Sequence, residues 1–273
     1  MVARFRFVAW SVIVLCVALP ARAGETEPVR PTDVIPLFNG KNLDGFYTWM
    51  KDTQYEDPRT VFSVKDGMLH VSGDGLGGLI TKQAYRDYHL VIEFKWGEKT
   101  WGARQDRTRD SGILVHCTGP DGGYNGTWMT SIEAQIIEGG VGDFIVVAGK
   151  DQQGNPVPVH IHAEVSRDRD GESVWTAGGE VQKFPRGRVN WFGRDPDWAD
   201  KLGFRGDQDV ESPFGEWTRM EVLCDGDTIT NIVNGTVVNK AFDVHPAAGK
   251  ILLQTELAEL WVRRWELRPL NEK

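Results

Sequence analysis

Glu133 and Gln135 stand two positions apart in SIEAQIIEGG (131 to 140), an otherwise apolar run. On a strand the side chains alternate, so Ile132, Ala134 and Ile136 share one face while Ser131, Glu133, Gln135 and Ile137 share the other. The first set suits a core and the second an exposed or concave face. Two other segments repeat the pattern. DSGILVHC (110 to 117) puts His116 in phase with Gly112 and Leu114, and ILLQTEL (251 to 257) puts Gln254 and Glu256 in phase. If the three faces coincide, they line a shallow bowl with two carboxylates, amides and an imidazole. Saccharides need such a surface, because carboxylates and amides bind hydroxyls in pairs while indole rings stack on the apolar faces of the sugar. Trp191, Trp198 and Trp128 are the tryptophans placed to stack, although most of the chain's tryptophans must fill the core. Taken singly, Glu133 reads equally well as a solubilising carboxylate on an exposed strand.

A different chemistry is offered by GNPVPVHIHAEVSRDRDG (154 to 171). His160, His162 and Glu164 project to one side of a strand, close to the first metal-binding motif of cupins, and imidazoles of this kind hold a divalent metal. The fit is incomplete, since His162 and Glu164 are too closely spaced and GEVQKFPRGRVN (179 to 190) has Asn190 where the second motif needs histidine. Other classes are absent: there is no G-x-S-x-G elbow, no phosphate-cradling G-x-x-x-x-G-K-[ST] and no C-x-x-C pair. The glycines of Gly73 to Gly78 lie between strands without a following helix and read as a turn.

These side chains must be positioned by strands. HLVIEFKW (89 to 96) alternates strictly, with Leu90, Ile92, Phe94 and Trp96 opposite His89, Val91, Glu93 and Lys95. Further short runs occur at 61 to 64, 68 to 71, 111 to 117, 131 to 138, 218 to 223, 228 to 233, 251 to 257 and 260 to 267. Asn234-Gly235 separates two β-rich runs in 227 to 242, the strongest short-range hairpin signal. No stretch sustains an apolar period of 3.6 residues, so an all-β sandwich follows. Gly139 to Pro213, rich in Gly, Pro and Asp, reads as a long irregular loop region on its rim.

At the N-terminus, Arg4 and Arg6 precede an apolar run from Phe7 to Leu19, and Ala21-Arg22-Ala23 is a small-x-small cleavage site. Residues 1 to 23 therefore read as a secretory signal peptide, which predicts export to the periplasm or the extracellular space and no membrane attachment after cleavage. Residues 24 to 35 read as a linker and 36 to 273 as one domain. The signal carries 3 of the 31 basic residues and none of the 39 acidic ones, so the remainder has a formal charge of 28 − 39 = −11. Nucleic acid is thereby excluded as a partner, because phosphates need a basic face. Cys117 and Cys224 read as two buried thiols, with one disulfide as the alternative.

PLFNGKNLDGF (36 to 46), SGILVHC, SIEAQIIE, GEWTRMEVLCDGDTITNIVNGTVVN (215 to 239) and GKILLQTELAELWVRRWELRPL (249 to 270) together resemble the 3-keto-disaccharide hydrolase family. Each motif is weak alone, but five in order span nearly the whole chain after the signal. The resemblance implies a concanavalin A-like jelly-roll sandwich and cleavage of 3-keto-glycosides. Removal of the C2 proton would be followed by elimination of the C1 substituent and hydration. It also implies an upstream sugar C3 oxidase. Carried over, the E-x-Q-I strand falls on Glu133 to Ile136, with Glu138 as the acidic residue that follows. His116 stands where the family commonly has arginine, and Glu256 and Leu257 replace a His-Gly pair. The implied roles are base or metal ligand for Glu133, proton transfer or oxyanion donation for His116 and acid for Glu256. Gln135, Glu138, Gln254, Trp191, Trp198 and Arg263 would contact substrate, and Trp217 also matches a family position. A divalent cation is a possible cofactor and no other is implied. The alternative reading is a non-catalytic carbohydrate-binding module, which the same fold serves.

Overall fold

The computed structural model describes residues 27 to 270; the expected signal peptide lies outside them. The described chain is built of antiparallel strands, with one short 3-10 turn at Gly102–Arg104. In order come β1 (Ile35–Pro36), β2 (Phe46–Met50), β3 (Phe62–Lys65), β4 (Met68–Val71), β5 (Leu76–Thr81) and β6 (Tyr88–Thr100). Next are β7 (Asp110–Thr118), β8 (Thr130–Ile137), β9 (Phe144–Val147), β10 (His160–Arg167), β11 (Ser173–Trp175) and β12 (Glu180–Phe184). The last six are β13 (Gly187–Val189), β14 (Thr218–Asp225), β15 (Thr228–Val233), β16 (Thr236–His245), β17 (Lys250–Glu256) and β18 (Ala258–Pro269).

Two sheets pack face to face. One has 11 strands along β11-β10-β16-β15-β14-β6-β18-β4-β3, with β1 on β18 and β12 on β10; the other has seven, β13-β9-β8-β7-β17-β5-β2. Between them lies one core. From the larger sheet it takes Leu90, Ile92, Phe94, Met220, Val222 and Val262, and from the smaller Ile113, Ile132, Ala134, Ile136 and Leu253. The alternation read in β6 and β8 is thus the alternation that fills the sandwich. Asn234 and Gly235 take φ of 47° and 85°, the positive values that a two-residue hairpin turn between β15 and β16 requires. No helix of the described residues is long and apolar enough to cross a membrane.

Several expectations need correction. Part of the expected linker is docked: Val29 bridges Tyr85, and Ile35 pairs with Leu267. Of the glycines expected to form a turn, Gly73 and Gly75 lie in the connection between β4 and β5, whereas Gly77 and Gly78 belong to strand β5. Strands β2 and β17 approach them so closely that a Cβ on Gly77 would lie 2.2 Å from the Trp49 carbonyl and one on Gly78 2.6 Å from Leu252. The irregular region is shorter than composition suggests. Residues 144 to 189 contribute β9 to β13, and an extended stretch free of strands runs only from 190 to 217. Cys117 and Cys224, by contrast, are the buried free thiols expected, on opposite sheets.

Asp143, fully buried at the head of β9, fastens that irregular stretch to the smaller sheet. Its Oδ1 accepts the Trp191 N–H at 2.7 Å, and its Oδ2 accepts from Arg194 and, at 3.1 Å, from Arg188. Asp143→Ala would leave the Arg194 guanidinium buried and unpaired. The expected loss is about 3–5 kcal/mol of stability in a denaturant titration; a loss below about 1 kcal/mol would show that the anchor is not needed.

Candidate functional site

The outer face of the smaller sheet carries a hollow of about 250 Å³, somewhat below the roughly 300–1,000 Å³ of pockets for drug-sized ligands and sized for a single sugar ring. Strand alternation places its floor: Asp110 from β7, Glu133 and Gln135 from β8, and Gln254 and Glu256 from β17. These strands are adjacent, with Gly112 opposite Gln135 and Leu252 opposite Leu114. Gly112 makes the gathering possible. A Cβ there would sit 2.3 Å from Glu133 Oε1 and 2.7 Å from Gln254 Oε1, so the bare backbone is the space over which the two side chains meet. Tyr124 and Trp128 form one wall, stacked with ring centres 6.3 Å apart, and Ile145 and Val147 add apolar surface. Trp128 is held by its indole N–H, which donates to the Gly77 carbonyl at 3.1 Å.

Three carboxyl groups share this space with two guanidinium groups. Arg104, at the 3-10 turn, donates to Asp110 Oδ2 and lies 3.7 Å from Glu256 Oε1; Arg188 enters from β13. Burial, then the charges of Glu256 and Asp110, push the Glu133 carboxyl well above the ordinary carboxylate range. Asp110 is raised to about 6, by burial against the opposing pull of Arg104 and Arg188. Glu256 is raised to about 8 by burial and by Asp110, against Arg104. Its side chain keeps 20% exposure, so water moderates that push. Two buried acceptors, Asp110 Oδ1 and Gln254 Oε1, have no hydrogen-bond partner. A polar hollow with unpaired buried acceptors suits donors, and hydroxyl groups are such donors.

Of the residues expected at the site, the structure brings together Glu133, Gln135, Gln254 and Glu256, with Trp128 beside them. It sets the others apart. His116 does not share the face of Gly112 and Leu114, because the β7–β8 register shifts between Val115 and Thr118 and His116 takes φ of 55°. Its ring turns inward to lie edge-on against Tyr88, with its Nδ1 2.8 Å from the Pro246 carbonyl, and burial lowers its pKa to about 4. Glu138 is buried in a salt bridge with Arg109 at 2.7 Å and accepts the Gly203 N–H. Trp191 is core, 1% exposed. Trp198 lies under Arg194, with its N–H on the Glu138 carbonyl. Arg263 belongs to β18 of the other sheet, paired with Glu93 at 2.6 Å and resting on Trp217. The residues that sequence reading overlooked are Asp110, Arg104, Arg188 and Tyr124. Asp110 was within reach, since it is in phase with Gly112, whereas the others lie at no periodic position.

The hollow's acidic side chains do not form a set of three donors within 4.8 Å of one another. Two guanidinium groups, of Arg104 and Arg188, already stand among them. The cupin-like reading also changes, because Glu164 accepts the Gly178 N–H at 2.9 Å instead of joining His160 and His162.

The model of the 3-keto-alpha-glucoside-1,2-lyase-like domain matches residues 33–268. Comparison with curated proteins finds no match. Among solved structures, a candidate glycosyl hydrolase from Parabacteroides distasonis ATCC 8503 is similar over 88% of this chain and 94% of its own, at 15% identity and a TM-score of 0.50. A second candidate glycosyl hydrolase from the same organism is 21% identical over 87% of this chain and 99% of its own, with a TM-score of 0.47. The carbohydrate binding module CBM66 from Bacillus subtilis is 8% identical over 82% and 95%, with a TM-score of 0.46.

Carboxyl-carbon NMR on the purified chain should resolve groups titrating near 6 and near 8, well above the ordinary carboxylate range. Arg104→Gln removes a charge that favours the ionised forms and should move both upward. Titration of all hollow carboxyls at about 4–5 would contradict the electrostatics described.

Proposed function

The chain belongs to the 3-keto-alpha-glucoside-1,2-lyase-like family, and from that premise we propose an exported enzyme that cleaves glycosides oxidised to the ketone at C3. The observation that carries this reading is the meeting of Glu133, Asp110 and Glu256 in one sugar-sized hollow, where they are held above their usual pKa beside two arginines.

A ketone at C3 makes the C2 proton acidic, because the electron pair left behind is delocalised into an enolate. Glu133 in its ionised form takes that proton, and a carboxylate with a raised pKa is the stronger base for it. Arg104 and Arg188 supply positive charge for the enolate oxygen. When the enolate collapses, the C1–O bond breaks and a C1–C2 double bond forms. Glu256, which still holds its proton at neutral pH, gives it to the departing oxygen. Water then adds at C1 while a proton returns to C2, so the net change is hydrolysis. Gln135, Gln254 and the Trp128 ring position the sugar. His116, enclosed in the core, has no part in this scheme. The ketone itself must be made by an enzyme that oxidises a sugar hydroxyl at C3. Export rests on the basic, apolar and small-residue pattern of residues 1 to 23.

The test is incubation of the chain with a 3-keto-glucoside while release of the leaving group is followed. Glu133→Gln should lower kcat by about 10²–10⁴ with sugar binding retained. Because Glu133 must be ionised and burial raises its pKa, kcat/KM should still be climbing with pH above the ordinary carboxylate range, and loss of the Glu256 proton near 8 should end the climb. Sugar binding by the wild type with no turnover of several such substrates would leave a non-catalytic binding module as the better reading.

A further inference from the structure

On the opposite outer face of the sandwich, His160 and His162 of β10 project beside Asp243 of β16. Their inward neighbours Ile161 and Ala163 belong to the core. Two steps along β10, from His160 to His162, face three steps along β16, from His245 back to Phe242, so β16 bulges at Asp243 and Val244. Asp243 takes φ of 46° there. Bulges re-aim side chains, and this one turns the Asp243 carboxylate onto the imidazole pair. Three donor atoms, one from each residue, lie within 4.8 Å of one another, the only such group among the described residues.

The contacts within the group are poor hydrogen bonds but good ligand spacings. His162 Nδ1 is 2.9 Å from Asp243 Oδ2, yet it is buried and makes no hydrogen bond of acceptable direction. Donors about 2.0–2.1 Å from one ion are about 2.9 Å apart at a right angle and about 3.4 Å apart at the tetrahedral angle, so a small opening of the pair admits an ion. Closing the third distance falls to Asp243, whose side chain is 64% exposed, and to the His160 ring. The His245 ring stacks on His160 with centres 5.6 Å apart, and Lys183 of β12 stands opposite His162. Lys183 is exposed and free to swing into solvent.

We propose that His160, His162 and Asp243 bind one divalent transition-metal ion of the zinc class, with water completing the coordination. Two imidazoles favour zinc, copper or nickel over magnesium or calcium, which prefer oxygen donors. The ion would tie β10 to β16 across the bulge. The proposal is separate from the chemistry of the hollow on the other face and does not depend on it.

Titration calorimetry of the chelator-treated chain with Zn²⁺ should give one saturable site per chain. His160→Ala and His162→Ala should each weaken it by at least the roughly 10–100-fold that loss of a mere outer-shell partner costs. Asp243→Asn should weaken it as well, and thermal unfolding of each variant in chelator checks that it folds. Copper(II) EPR of the unaltered chain should show coupling to two nitrogens, a readout that needs no variant. No saturable site, an affinity untouched by both histidine substitutions, or a copper spectrum without nitrogen coupling would each overturn the assignment.

Discussion

A carboxylate held away from water governs this molecule. Strand β8 is buried along its whole length, although only one of its faces meets the core. The other turns Glu133 and Gln135 into a space that Asp110, Gln254 and Glu256 also enter. Like charges so placed cannot all ionise, and desolvation acts against each of them. The two arginines offset part of that cost. What is left is a set of carboxyl groups all held above their ordinary range, with Asp110 at about 6 and Glu256 at about 8, and raised acids of this kind suit proton transfer to and from carbon or oxygen. Fold and chemistry meet at that point: the sandwich tolerates the arrangement because its stability rests on the opposite faces of the same strands.

The supporting structure follows from this requirement. Gly112 leaves the room in which Glu133 and Gln254 approach, and a methyl group there would collide with both. Asp143 draws Trp191, Arg194 and Arg188 together, so one buried charge both packs the irregular stretch and sets one of the hollow's cations. Arg104 is fixed at a 3-10 turn and reaches Asp110 and Glu256. The second cluster, at His160, uses a bulge where the hollow uses a glycine, and both devices redirect side chains without breaking a sheet.

Much of this was legible in the sequence because the period of a strand is two. The same count that put Ile132, Ala134 and Ile136 in the core put Glu133 and Gln135 opposite, and it extended to Gln254 and Glu256 on β17. It failed at His116, since a single extra residue in β7 reverses the alternation and no local pattern announces a bulge. Arg104 and Arg188 were invisible for a related reason: they come from a turn and a three-residue strand, where sequence spacing says nothing of direction. Trp191 and Trp198 were misplaced because an indole suits a sugar and a core equally well. Asp243 stands far from His160 and His162 in sequence, so the cupin spacing pointed to Glu164 instead.

The central claim is that Glu133 removes a proton from carbon, which distinguishes elimination and rehydration from direct displacement at C1. Turnover of a 3-keto-glucoside in D₂O, with the released sugar examined by proton NMR against an enzyme-free control, reads that event directly. The account predicts deuterium at C2 of the product formed by the wild type. Release of the leaving group with only protium retained at C2 would contradict it.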